Sequence, residues 1–83
     1  MLKGNFQIPL SDMATGEGAT LLVFKGGRMV NNRLASLGFT PGARVSMVQN
    51  YGRGPLLVEV RGACVALGRG EAAKILVERS THE

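Results

Sequence analysis

One histidine, one cysteine and six side-chain carboxylates are the first candidates in this chain for acid–base, nucleophilic or metal chemistry. His82 lies at the C-terminus, where chain ends fray and hold no fixed geometry. Cys64 has no histidine near it in sequence, so the thiol lacks the base that nucleophilic catalysis needs. One cysteine and one histidine cannot complete a structural zinc set of four nitrogen or sulfur ligands. Glu17, Glu59, Glu71, Glu78, Glu83 and His82 could together supply only a weak divalent site. His82 and Glu83 are its first candidates, in a metal bridge between two molecules. The residues therefore predict no catalytic group, no resident cofactor and no small-molecule substrate.

Two stretches could bind rather than react. Gly26-Gly27, flanked by Lys25 and Arg28, precedes a helix, whose free N–H groups attract anions. The P-loop pattern with its Gly-Lys-Ser/Thr is missing, so nucleotide binding by this chain is not expected, and the glycines read as the release from a strand. Tyr51-Gly52-Arg53-Gly54 sets an aromatic beside an arginine, as in small barrels that bind RNA. A single aromatic gives no stacking platform. Protein contact suits this stretch better, because an outward Leu57 beside Tyr51 would make an apolar patch rimmed by arginine.

These residues need elements to hold them. The pivotal stretch runs from Leu34 to Val45. Leu34 and Leu37 are spaced for one helix face. Gly38 then supplies a helix stop, Pro41-Gly42 a type II turn, and Val45 and Met47 the inward positions of a strand. Around it, residues 1–7 read as loosely held, anchored by Phe6 and Ile8. Residues 9–13 make one helical turn capped by Ser11, with Leu10 and Met13 inward. Strands are predicted over 19–25, 43–50, 56–61, 63–67 and 75–78, and a helix over 28–37 with Val30, Leu34 and Leu37 on its buried face. Cys64 faces outward. Residues 68–73 form a tight or helical turn, and 79–83 a polar tail. Five short strands, one helix after the first and many tight turns predict a mainly β, single-domain, SH3-like barrel with its core over 8–78. Closing such a sheet removes its exposed edges.

Size and charge bound the function. Eighty-three residues make one small domain with a thin stability margin. A net charge of +4 permits an acidic partner: nucleic acid, an anionic membrane or an acidic protein face. The basic residues are scattered, which reads as a solvated basic surface. One cysteine excludes an intrachain disulfide and fits a reducing compartment. No apolar stretch approaches the roughly eighteen residues of a membrane span, and no signal-peptide pattern opens the chain. A cytoplasmic location is expected.

The order of motifs then resembles a known family. Leu10-Ser11-Asp12-Met13 with Gly16-Glu17, Gly26-Gly27-Arg28, Arg33 through Gly42, Gly54-Pro55-Leu56, Arg61-Gly62, Val65-Ala66-Leu67 and Glu71-Ala72 look like the FeoA family, ferrous iron transport protein A. Asn31-Asn32 stand where that family often carries charged residues. The resemblance covers about residues 8–78. It implies an SH3-like barrel and a small cytosolic accessory protein of a bacterial ferrous iron uptake system, without enzyme activity. It also implies a partner, a membrane transporter with a cytosolic GTPase domain that would hold the chain peripherally at the inner membrane. Arg28 and Arg53 are then candidates to meet that partner, with Tyr51 and Leu57, since an arginine supplied in trans can stabilise the charge that develops on GTP. The alternative is a basic small-barrel nucleic-acid binder, whose affinity would fall steeply with salt.

Overall fold

The structure, a computed structural model, describes the backbone of residues 5–80 and the side chains of all of these but Asn5, Phe6, Val30 and Ser80. The expected anchor Phe6 and the inward Val30 therefore lie, as side chains, outside the described residues.

Six strands and two helices follow one another: β1 (Asn5–Pro9), a 3₁₀ turn (Leu10–Asp12), β2 (Gly18–Phe24), α1 (Arg28–Ser36), β3 (Arg44–Gln49), β4 (Leu56–Val60), β5 (Ala63–Leu67), the single turn α2 (Arg69–Ala72) and β6 (Ile75–Ser80). All pair antiparallel in one sheet of order β1-β6-β2-β3-β4-β5. The mainly β, SH3-like architecture expected from sequence is thus present, with one strand more than predicted. The sheet keeps two edges, β1 and β5, rather than pairing them with each other.

The core is built as alternation requires. Val45 and Met47 of β3, Leu56, Val58 and Val60 of β4, and Leu67 of β5 are buried beside Leu10, Met13, Leu21, Leu34, Phe39, Ile75 and Val77. In β2 the apolar residues lie on both faces because the pairing with β6 slips by one residue between Leu21 and Val23. A slip of this kind inserts an extra residue and re-aims the side chains beyond it. Leu21 is buried, Val23 is 44% exposed, and Phe24 packs against the core again.

Helix α1 ends as a Schellman turn. The Phe39 N–H donates to the Leu34 carbonyl and the Gly38 N–H to that of Ala35, both at 3.0 Å. Gly38 takes φ +105° and Gly42 φ +90°, and the Ala43 N–H closes the predicted Thr40–Ala43 turn at 2.9 Å. The turn buries Phe39 completely against Leu34, while Leu37, the residue that caps the helix, is left 37% exposed. The expectation that Leu37 is core is corrected: the left-handed step at Gly38 redirects the chain, and Phe39, not Leu37, is the buried residue at this end of the helix.

Three further expectations are corrected. Residues 5–9 form a strand, with Ile8 opposite Val77 and Gln7 opposite Glu78. The 3₁₀ turn starts after Pro9 and has no side-chain cap, so Ser11 does not cap it; Leu10 and Met13 are fully buried as expected. Arg79 and Ser80 belong to β6, not to a tail, and Arg79 is ion-paired with Glu17 at 2.9 Å. Among the described residues no helix is long and apolar enough to cross a membrane.

Candidate functional site

Asn50 organises the root of the loop after β3. Its side-chain amide donates to the Met13 carbonyl at 2.7 Å and to the Ser11 carbonyl at 3.2 Å. Its side-chain oxygen accepts from the Gly52 N–H at 3.0 Å, the Asx turn that asparagine favours, and from the guanidinium of Arg69. Its backbone N–H donates to the Thr15 hydroxyl at 2.9 Å. One residue thereby ties the 3₁₀ turn, the turn before β2, the loop and α2 together. Asn50 was not singled out from sequence; the Asn-Tyr-Gly spacing of an Asx turn was the signal available.

Beyond this anchor the loop presents its tip to solvent. Tyr51 is 77% exposed and Arg53 is exposed. Leu57 sits opposite Gln49 and Ala66, at the root of the same loop. It is half-buried, so it contributes less open apolar surface than its outward position suggested. Val48, 45% exposed, adds to the apolar surface of that end. The structure thus brings Tyr51, Arg53 and Leu57 to one end of the β3–β4 pair.

Arg28 belongs elsewhere. It opens α1, which leaves from the Phe24–Ile75 end of the β2–β6 pair, and it is exposed beside Met29, itself 84% exposed. No described hydrogen bond or ion pair links it to the loop. Gly27 precedes it in extended conformation with no side-chain cap. Arg33, further along α1, is ion-paired with Glu71, and this pair joins α1 to α2.

A third arginine has a structural use. Arg61 reaches across to the end of α1, donating to the Gly38 carbonyl at 3.4 Å and to the Thr40 hydroxyl at 3.2 Å. A cation at a helix C-terminus meets the negative end of the helix dipole.

His82 and Glu83, the metal candidates, lie outside the described residues. Among the described residues no group of three or more His, Cys, Asp or Glu side chains could hold a metal ion. Cys64 is exposed on β5, facing outward as predicted.

Comparison with known proteins supplies the family. The model of the FeoA domain matches residues 8–79. An Fe(2+) transport protein A of Methanocaldococcus jannaschii is 33% identical over 70 residues, which cover 84% of this chain and 84% of that one. The crystal structure of an iron uptake regulatory protein (FeoA) superposes with a TM-score of 0.84 at 32% identity, over 92% of this chain and 100% of the other. The zinc-complexed FeoA of Stenotrophomonas maltophilia, described as an SH3 domain protein, has a TM-score of 0.73 at 28% identity, over 93% and 89% of the two chains.

Proposed function

The chain belongs to the FeoA family, and from that premise we propose that it docks on the cytosolic GTPase part of a membrane ferrous iron transporter and supports it by contact alone. Membership makes it a small accessory protein of ferrous iron transport. The observation that carries the reading is the extent of the match, residues 8–79, which takes in nearly every described element.

The docking reading is further supported by the loop of residues 51–55. Its base is pinned by Asn50, so the backbone that carries Tyr51 and Arg53 is held at its root before a partner arrives. Holding contact residues in place beforehand lowers the entropic cost of association. Arg28, on the first turn of α1, offers a second basic contact on a separate element. The proposed location is the cytoplasm, at the inner membrane through the partner.

Calorimetric titration of the protein into the isolated GTPase domain of its transporter, at physiological salt, tests this. We expect binding that Arg53→Ala weakens by about tenfold, the size of a lost charged contact of about 1.4 kcal/mol. An absence of heat at any accessible concentration would remove the proposal. A divalent metal bridging copies through His82 and Glu83 is proposed on donor chemistry alone. Zinc should then raise the apparent mass in light scattering, and an unchanged mass removes it.

A further inference from the structure

The two edges of the sheet are protected unequally. β1 ends in Pro9, which has no N–H to offer a neighbouring strand. β5, with the sequence Ala-Cys-Val-Ala-Leu, carries no proline and no charge. It pairs with β4 without a slip from Val60↔Ala63 to Leu56↔Leu67, so no bulge twists it away. Ala63, Cys64 and Ala66 are exposed and Val65 is half-buried.

The β4–β5 turn fixes which main-chain groups are free. Arg61 and Gly62 have φ +52° and +83°, the two left-handed residues of a type I′ turn. In such a hairpin the flanking residues Val60 and Ala63 exchange both hydrogen bonds, and bonded and non-bonded pairs alternate from there. Ala63, Val65 and Leu67 therefore turn their main-chain groups toward β4. The N–H and C=O of Cys64 and Ala66 point away from the sheet, and no turn, cap or side-chain hydrogen bond among the described residues engages them. They form a two-donor, two-acceptor template for another strand.

Charge selects the occupant. Arg61 precedes β5 and is exposed, although it also donates to the Gly38 carbonyl and the Thr40 hydroxyl. Arg69, which follows β5, is half-buried and held by Asn50. The exposed Arg53 lies in the loop leading to Leu56, the partner of Leu67. Of the nearby acids, Glu71 is engaged by Arg33 and by the Gly68 N–H, and Glu59 lies one strand further in, opposite Cys64. A second copy of this chain, added antiparallel, would set Arg61 of one molecule against Arg69 of the other. Basic ends meeting on chains of net charge +4 oppose that pairing.

We propose that β5 is a docking edge for an extended, acid-flanked segment of a partner protein, which adds to the sheet as an antiparallel seventh strand on Cys64 and Ala66. The residue opposite Val65 falls on the core side of the sheet and would cover it with an apolar side chain. Its neighbours on the segment face solvent, and acidic residues at the two ends meet the exposed arginines, Arg61 at one end and Arg53 at the other. This inference does not depend on what the partner does in iron transport.

The probe is the peptide acetyl-Glu-Glu-Thr-Val-Thr-Glu-Glu-amide, titrated into the ¹⁵N-labelled full chain up to millimolar concentration, with the lysine-for-glutamate peptide as control. The amides of Cys64 and Ala66 should shift most and exchange more slowly when the peptide is bound. Ala66→Pro removes an outward N–H that the β4 ladder does not use, so it should leave the melt in place and weaken binding by at least about tenfold. The exchange measurement on the unmodified chain stands even if that variant does not fold. Shifts confined to other residues would overturn the proposal, as would equal binding of the lysine peptide. So would Cys64 and Ala66 amides already protected in a free protein of doubled mass, which would mean that a second copy occupies the edge.

Discussion

At the scale of single residues, burial separates two leucines that sequence spacing had made equivalent. Leu34 is fully buried and Leu37 is 37% exposed. Leu34→Ala should cost about 2–5 kcal/mol through the cavity it opens, and Leu37→Ala less than about 1 kcal/mol. In a domain of this size about 1 kcal/mol moves the melting temperature by roughly 4–8 °C, so one calorimetric scan of each variant separates them. Asn50 makes a different prediction. Asn50→Ala leaves the carbonyls of Ser11 and Met13 and the guanidinium of Arg69 without their partner. A loss of about 1–3 kcal/mol should appear in the melt, with faster proteolysis between Tyr51 and Pro55. The apolar core was largely legible, because alternation and turn chemistry both assigned Val45, Met47, Leu56, Val58, Val60 and Leu67 inward. Asn50 was not, since a hub is defined by partners far along the chain: Ser11, Thr15 and Arg69 come to it only through folding.

At the scale of elements, the stretch from Leu34 to Val45 did what its residue types require. The helix stop, the turn and the strand register all follow from Gly38, Pro41 and Gly42 acting locally. Gly38→Ala should be destabilising by about 1–2 kcal/mol for its left-handed backbone alone. The new Cβ would also stand 3.2 Å from the Arg61 Cδ, a flexible neighbour that can move only by loosening its hold on the end of α1. Pairing Gly38→Ala with Arg61→Ala in a double-mutant cycle should therefore give a smaller cost than the sum of the two singles. Strict additivity would show that the new Cβ leaves the Arg61 contact undisturbed. β1 went unread because a five-residue segment ending in proline carries little strand signal of its own. Proline is tolerated there because the strand is an edge. The extension of β6 through Ser80 went unread for a related reason. Arg79 looks like tail composition until its ion pair with Glu17 of the turn before β2 is formed.

At the scale of the whole molecule, six short strands wrap one apolar core, and basic residues are left on its surface. The family was legible in the order of motifs along the chain, which the match over residues 8–79 bears out, and the SH3-like class in the short strands and tight turns, which the likeness to an SH3 domain protein bears out. The contact surface was less legible. Tyr51, Arg53 and Leu57 converge on one end of the β3–β4 pair, whereas Arg28 stands apart on α1. Spacing in sequence cannot report which candidates the fold brings together. The central claim is that a folded accessory domain works by docking on a GTPase-bearing iron transporter. Co-purification with the tagged protein from iron-limited cells, at physiological salt and with nuclease present, tests it most directly. The account predicts that a membrane transporter with a GTPase domain is retained, and that less of it is retained with Arg53→Ala. Retention of no transporter, together with a salt-sensitive RNA or DNA band when nuclease is omitted, would contradict it and assign the basic surface to nucleic acid.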